Sequence, residues 1–164
     1  MPPRSLRSDF ISTQETEDIM QEAINLSLTV LSVIDNLDDF GLSDGDPEIN
    51  SFTTDGTLTE NERFAKLTFS EMSDSGEIFS TLYVTADEVR LFKRGAIDTD
   101  MRFSKGACER TIYRVGPYVF DMEITTRGVR NSLTSDGGEL TLIYSMNIGG
   151  QDKNVRMNIT AKRK

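Results

Sequence analysis

The chain has 164 residues, a formal net charge of −9 and no histidine. A chain of this length suits one domain with its own core, and its negative charge opposes binding to the phosphate backbone of nucleic acids. Without histidine the chain lacks the commonest general base and a principal zinc ligand, so we predict no enzymatic activity, no metal site and no cofactor.

Residues 1–22 are predicted to form a polar extension that contains a short helix. Ser12 or Thr13 would cap this helix, which covers residues 14–23 and carries a narrow apolar stripe around Ile19 and Met20. No apolar run approaches the ~20 residues that a membrane span requires, and no apolar segment follows the first basic residues as in a secretory signal. Cys108 is the single cysteine, so no intramolecular disulfide can form. We therefore predict a cytoplasmic protein in which Cys108 is a small buried strand residue.

Residues 23–164 are predicted to form one all-β domain. From Ile24 the pattern alternates, with Leu26, Leu28 and Val30 apolar and the residues between them polar, as in a half-buried antiparallel strand. The acidic segment over residues 35–48 then breaks the alternation with glycines and a proline. Its carboxylates do not fit the spacing of an EF-hand calcium loop, so we predict a solvated loop.

Further strand candidates follow at short intervals, separated by turn-forming stretches such as "SDSGE", "TADE", "RGAID" and "SDGGE". No segment between them is long enough for a crossover helix, so neighbouring strands must pair antiparallel. The candidates cover residues 49–60, 63–72, 78–85, 88–94, 100–104, 108–115, 118–126, 129–133, 140–148 and 155–161.

A meander of this size leaves exposed edges unless it closes. We therefore predict an antiparallel up-and-down β-barrel of about ten strands, with a two-sheet sandwich as the alternative. Three C-terminal strands support closure, because each has one apolar and one polar face. The predicted inward faces are Tyr118, Phe120, Met122 and Ile124; Leu140, Leu142, Tyr144, Met146 and Ile148; and Val155, Met157, Ile159 and Ala161.

Four stretches, "RLFKRGAIDTDMRFSKG", "YRVGPYVFDMEITT", "GGELTLIYSMNIGG" and the ending "VRMNITAKRK", resemble the YwiB-like family of small bacterial proteins. The resemblance covers residues 24–161 and is most specific at the Arg94-Gly95 corner and the Leu140-x-Leu-x-Tyr144 strand. It is weaker at residues 115–118, where family members have Thr-Pro-Tyr-Gly. The resemblance implies a calycin or lipocalin-type β-barrel of unassigned function and carries over no catalytic residue.

The fold alone does not identify a ligand, so a binding site must be argued from side chains. Barrels of the fatty-acid-binding type combine an apolar cavity with inward arginine and tyrosine side chains that hold a carboxylate. By that chemistry the candidate ligand-binding residues are Arg94, Tyr113, Tyr144, Arg114 and Arg127. The many Phe, Tyr and Met side chains favour a filled interior instead, and both interpretations stay open.

The tripeptide Lys93-Arg94-Gly95 ends one of the predicted strands. We favour a structural corner, in which Gly95 supplies an unusual backbone geometry and the apolar stem of Arg94 packs over the barrel end. In the alternative interpretation Arg94 binds an anion at the barrel mouth.

Two functional hypotheses follow. The first is a non-enzymatic barrel that binds a small apolar or amphipathic anion, and it predicts a cavity of ~300 Å³ or more with at least one inward arginine. The second is a filled barrel that acts as a protein-interaction or assembly module, and it predicts an exposed apolar patch or an open strand edge. Neither hypothesis requires a nucleic acid or a membrane, and both are compatible with a homodimer.

Overall fold

A computed structural model describes residues 22–164 of the chain. The predicted helix over residues 14–23 and the predicted extension over residues 1–22 therefore lie almost entirely outside the described residues. Within residues 22–164, no helix is long and apolar enough to cross a membrane.

The described residues form ten β-strands in chain order. Short turns join most of them, and the longest connection among the described residues is the exposed acidic loop over residues 37–47. The strands are β1 (Ile24–Asn36), β2 (Glu48–Glu60), β3 (Ala65–Ser73), β4 (Gly76–Val84), β5 (Glu88–Gly95), β6 (Ile97–Ser104), β7 (Cys108–Val115), β8 (Tyr118–Asn131), β9 (Gly137–Ile148) and β10 (Gln151–Arg163).

Each strand pairs antiparallel with its sequence neighbour, and β1 pairs with β10 to close the barrel. The closing register extends from Leu26 opposite Arg163 to Asn36 opposite Lys153. Closure removes the two exposed edges that an open meander would leave. The predicted ten-stranded antiparallel barrel is therefore confirmed, and the sandwich is excluded.

The barrel has one filled end. Alternate residues of the strands point inward, as a side-chain period of two requires. At the end of the barrel where β1 begins and β10 ends, these side chains pack into a closely filled core. We call this the closed end. Its fully buried side chains include Leu26, Leu28, Leu58, Leu67, Val84, Phe103, Ile124, Leu140, Leu142 and Ile159.

The opposite end carries the turns that follow β1, β3, β5, β7 and β9, and we call it the open end. Large apolar side chains are exposed there, although they are usually buried in a monomeric protein. Apart from Ile112 in β7, every exposed large apolar side chain identified in residues 22–164 lies at or near this end: Phe40, Leu42, Ile49, Met72, Phe79, Tyr118, Val119 and Phe120.

The predicted inward face of β8 is correct for Met122 and Ile124 and wrong for Tyr118 and Phe120. Tyr118 is 65% exposed and Phe120 is 38% exposed. The physical reason is that β8 pairs with β9 only from Met122 onward, so residues 118–121 of β8 lie beyond the end of β9 and pair with β7 alone. Tyr118 and Phe120 continue the inward alternation of β8, but without β9 beside them their side chains stay exposed.

Two other predictions are corrected by the strand pattern. The candidates at residues 118–126 and 129–133 are one strand, β8, which continues through an irregularity in register between Thr126 and Gly128. Cys108 is exposed rather than buried, because it begins β7 in the outward phase.

Candidate functional site

The open end of the barrel leads into a cavity of about 690 Å³. This volume lies within the roughly 300–1,000 Å³ that is typical of small-molecule sites. The rings of Phe52 and Phe69 lie on one side of the cavity, with centroids 6.2 Å apart. The apolar part of the lining comprises Val30, Ile34, Phe52, Phe69, Met72, Ile78, Leu82, Leu91, Ile97 and Met157.

Lys93 is the one cationic side chain among the described residues that line the cavity. It follows Leu91 by two positions on β5, so it shares the inward face of that strand. Burial lowers the pKa of the Lys93 ammonium, and the negative charge of Glu71 opposes part of that lowering. Within residues 22–164, no carboxylate oxygen lies within 4.0 Å of this ammonium nitrogen. Among the described residues, this charge therefore has no ion-pair partner, although it is costly to bury.

A row of polar residues crosses the inner wall at the level of Lys93. Ser80 on β4 is the register partner of Lys93, which also pairs with Thr99 on β6, and Thr99 pairs with Tyr113 on β7. The Thr99 hydroxyl donates to the carbonyl oxygen of Ile112 at 2.9 Å. The Ser80 hydroxyl is buried and has no hydrogen-bond partner in the described part of the chain. Since a buried polar group without a partner is destabilising, the Ser80 hydroxyl is a free donor that a ligand could satisfy, and it lies beside Lys93 in the cavity wall.

The structure places two of the five predicted ligand-binding residues inside the barrel. Tyr144 on β9 is buried, and its ring packs against Phe103 with centroids 4.7 Å apart. Tyr113 is partly buried at the edge of the same core. Burial raises the pKa of both phenols, and the negative charge of Glu71 raises that of Tyr113 further. Both phenols therefore remain protonated at neutral pH, although neither lines the cavity.

The three predicted arginines lie on the outer surface. Arg94 points away from Lys93 and folds over the β5–β6 corner, where one guanidinium nitrogen donates to the carbonyl oxygens of Lys93 at 2.7 Å and Thr99 at 3.1 Å. Arg127 donates to the hydroxyl of Ser145 at 2.9 Å.

Arg114 is exposed on the outward face of β7. The structure therefore does not bring the three arginines together with Tyr113 and Tyr144, because the two groups occupy opposite faces of the wall. The inward charge that the ligand hypothesis expected from an arginine comes from Lys93 instead.

The cavity also reaches the barrel wall between β2 and β3. These strands pair only over residues 56–60 and 65–69, so residues 48–55 of β2 and 70–73 of β3 have no ladder between them. We call this gap the β2–β3 seam. Consecutive residues, which point to opposite faces of a strand, both line the cavity there: Ser51 and Phe52 on β2, and Ser70 and Glu71 on β3. A cavity lined by both faces of a strand passes through the wall, so the seam is a lateral opening.

One side-chain hydrogen bond spans the seam, and we expect its removal to destabilise the barrel. The Thr54 hydroxyl donates to the carbonyl oxygen of Ser70 at 3.0 Å. Thr54→Val keeps the side-chain shape and is expected to lower the free energy of unfolding by about 1 kcal/mol, as measured by urea denaturation. Thr53→Val, on the exposed side of the same strand, is the matched control. Equal effects of the two substitutions would contradict a structural role for this hydrogen bond.

A model of one protein family, described as a domain of unknown function, DUF1934, matches residues 41–159. The chain belongs to the DUF1934 family. It is also similar to the uncharacterized β-barrel protein YwiB of Bacillus subtilis, with 25% identity over 142 residues that cover 86% of this chain and 95% of YwiB. The predicted YwiB-like family is therefore confirmed.

The crystal structure of the ywiB protein from Bacillus subtilis is similar to the fold described here. Its TM-score is 0.77 at 23% identity, and the match covers 90% of this chain and 98% of that chain. At this level of identity the similarity supports the barrel architecture, and it assigns no ligand to the DUF1934 chain.

Sequence reasoning missed three residues that line the cavity of this DUF1934 chain, namely Lys93, Glu71 and Ser80. The signal was present for Lys93, because Val89 and Leu91 set an inward phase on β5 that Lys93 continues. Glu71 likewise continues the phase of Leu67 and Phe69 on β3. Both residues were missed because a charged residue that follows inward-facing apolar residues near the end of a strand is usually expected to reach water.

Proposed function

We propose that this protein is a non-enzymatic barrel that binds a small amphipathic molecule through an anionic group. The observation that supports the proposal is the position of Lys93 in the wall of a cavity with both apolar and polar lining, where its buried ammonium has no ion-pair partner among the described residues. An anion bound there would compensate the cost of burying that ammonium, since charge-assisted hydrogen bonds are stronger than neutral ones. The apolar part of the ligand would contact Phe52, Phe69 and Met157.

Calorimetric titration with dodecanoate and dodecanol tests the proposal, because the two probes differ in charge and share one apolar chain. We expect the wild-type protein to bind dodecanoate more tightly. Lys93→Met should weaken dodecanoate binding about tenfold to a hundredfold and leave dodecanol binding nearly unchanged, since it removes one hydrogen-bonded charge. Arg94→Met removes a positive charge from the next position on the outer face and is the matched control. Loss of affinity in Arg94→Met with none in Lys93→Met would refute the assignment.

The pH dependence of dodecanoate binding provides a second readout. Burial lowers the pKa of Lys93, so the ammonium loses its proton at a lower pH than an ordinary lysine does. Dodecanoate affinity should therefore be highest well below that pKa, while the carboxylate is still ionised, and fall as the pH rises through it. The Lys93→Met protein should not show this fall.

A second candidate function, partner binding through the barrel surface, is favoured by two other observations. The unpaired edges of β2 and β3 at the seam can accept an added strand, and exposed apolar side chains such as Phe40 and Val119 surround the open end. The filled interior that this alternative predicts is found at the closed end, whereas the open end contains the cavity. We therefore rank ligand binding first.

A further inference from the structure

The cavity contains a second charge in addition to Lys93. Glu71 on β3 lines the same cavity and is its one acidic residue among those described. It occupies the inward phase of β3, two positions after Phe69 and next to the β2–β3 seam. No cationic nitrogen of residues 22–164 lies within 4.0 Å of the Glu71 carboxylate.

The two charges affect one another without forming a pair. The Glu71 carboxylate stabilises the ammonium of Lys93 and disfavours ionisation of the Tyr113 phenol, so its field extends across the barrel interior. The register explains why direct contact is absent. Lys93 lies opposite Ser80 on β4, whereas Glu71 lies opposite Ile78, so the two residues are on strands two apart and at different levels of the wall.

For a ligand that carries a single charge, one of these two residues attracts the ligand and the other repels it. An anion beside Lys93 is attracted by the ammonium but repelled by Glu71. A cation beside Glu71 is attracted by the carboxylate but repelled by Lys93. In a partly enclosed site these attractions and repulsions between charges are stronger than in bulk water. A ligand with one group of each sign, suitably spaced, gains from both residues.

We propose that the ligand class of this cavity is an amphipathic zwitterion, whose anionic group binds Lys93 and Ser80 and whose cationic group binds Glu71. This inference rests on the proposed function and specifies its ligand. The Ser80 hydroxyl supports it independently, because it is buried beside Lys93, lacks a partner in the described residues and can donate to a second oxygen of the anionic group. The seam next to Glu71 gives the cationic group access to solvent.

Three probes with the same apolar chain length test the inference below their micelle concentrations: dodecanoate, dodecylamine and lauroylcarnitine. We expect lauroylcarnitine to bind the wild-type protein at least about tenfold more tightly than either singly charged probe. Glu71→Gln should weaken lauroylcarnitine binding about tenfold and strengthen dodecanoate binding. Glu77→Gln removes an exposed carboxylate from β4 and is the matched control, expected to change neither affinity. Circular dichroism spectra of both variants verify that the barrel is retained.

The outcomes separate this inference from the proposed function. If dodecanoate binds as tightly as lauroylcarnitine, depends on Lys93 and is unaffected by Glu71→Gln, the zwitterion inference is overturned and the anion-binding function stands. If the folded wild-type protein binds none of the three probes, both are overturned. Preference for lauroylcarnitine that is lost in Glu71→Gln and kept in Glu77→Gln supports the inference.

Discussion

Replacement of Phe103 by alanine is expected to lower the free energy of unfolding by about 3–5 kcal/mol, the range for a fully buried phenylalanine. Phe103 lies on β6 with 0% exposure, opposite Val89 on β5. Its ring also contacts Tyr144 on β9, three strands away around the barrel. The substitution would therefore leave a cavity between non-neighbouring strands of the closed end, and β6 and β9 would both have to move to fill it.

Chemical denaturation measures this effect, with Phe40→Ala as the control. Phe40 is 88% exposed in the acidic loop, so its truncation should change stability by no more than about 0.5 kcal/mol. A cost below about 1 kcal/mol for Phe103→Ala would mean that the closed end is loosely filled. That result would contradict the division of the interior into a packed end and an open end.

The alternation of side chains predicted the architecture because the two faces of each strand have different environments in a closed barrel. The faces of β9 and β10 show this most clearly, since Leu140, Leu142, Val155 and Ile159 are all buried as predicted. Short turns predicted the meander order, because they allow only neighbouring strands to pair. Both signals are local in the sequence, so one chain is sufficient to interpret them.

The alternation could not predict how far each pair of strands continues. Tyr118 and Phe120 have the inward phase of β8, yet they extend beyond the last residue that β9 covers. The β2–β3 seam has the same origin, because β2 continues along β1 where its ladder to β3 has ended. These features depend on the stagger of strands around the barrel, which a pattern within one strand does not encode.

The prediction that Arg94, Arg114 and Arg127 bind a ligand inside the barrel is wrong about their orientation, because all three side chains lie on the outer face of the wall. Whether the side chain of Arg94 points inward or outward is hard to predict near a turn, because a shift of one position exchanges the two faces of a strand. Arg94 binds backbone carbonyl oxygens at the corner, and its neighbour Lys93 faces the cavity. Extending the phase of Val89 and Leu91 by one more step would have identified Lys93.

Replacement of Gly95 by alanine is expected to cost about 2–4 kcal/mol of stability, from a strained backbone and a direct clash together. Gly95 ends β5 with φ of 101°, a region that side chains other than glycine rarely adopt. A Cβ atom there would clash with the carbonyl oxygen of Glu77 on β4. That oxygen accepts a hydrogen bond from the amide of Ala96 at 2.9 Å, so moving it would break a hydrogen bond that holds the β5–β6 turn against β4.

Gly106 provides the matched control for this substitution, because it also has a positive φ, 82°, but apart from its chain neighbours no atom of the described residues lies within 4 Å of the position of its Cβ. Gly106→Ala should therefore cost only about 1 kcal/mol, the backbone contribution alone. Urea denaturation of both variants separates the two contributions, and equal costs would show that the clash at Gly95 is relieved without strain. Because Gly95 follows Lys93 by two residues, relief by movement of β5 would displace the ammonium, and dodecanoate affinity should then fall in Gly95→Ala and remain unchanged in Gly106→Ala.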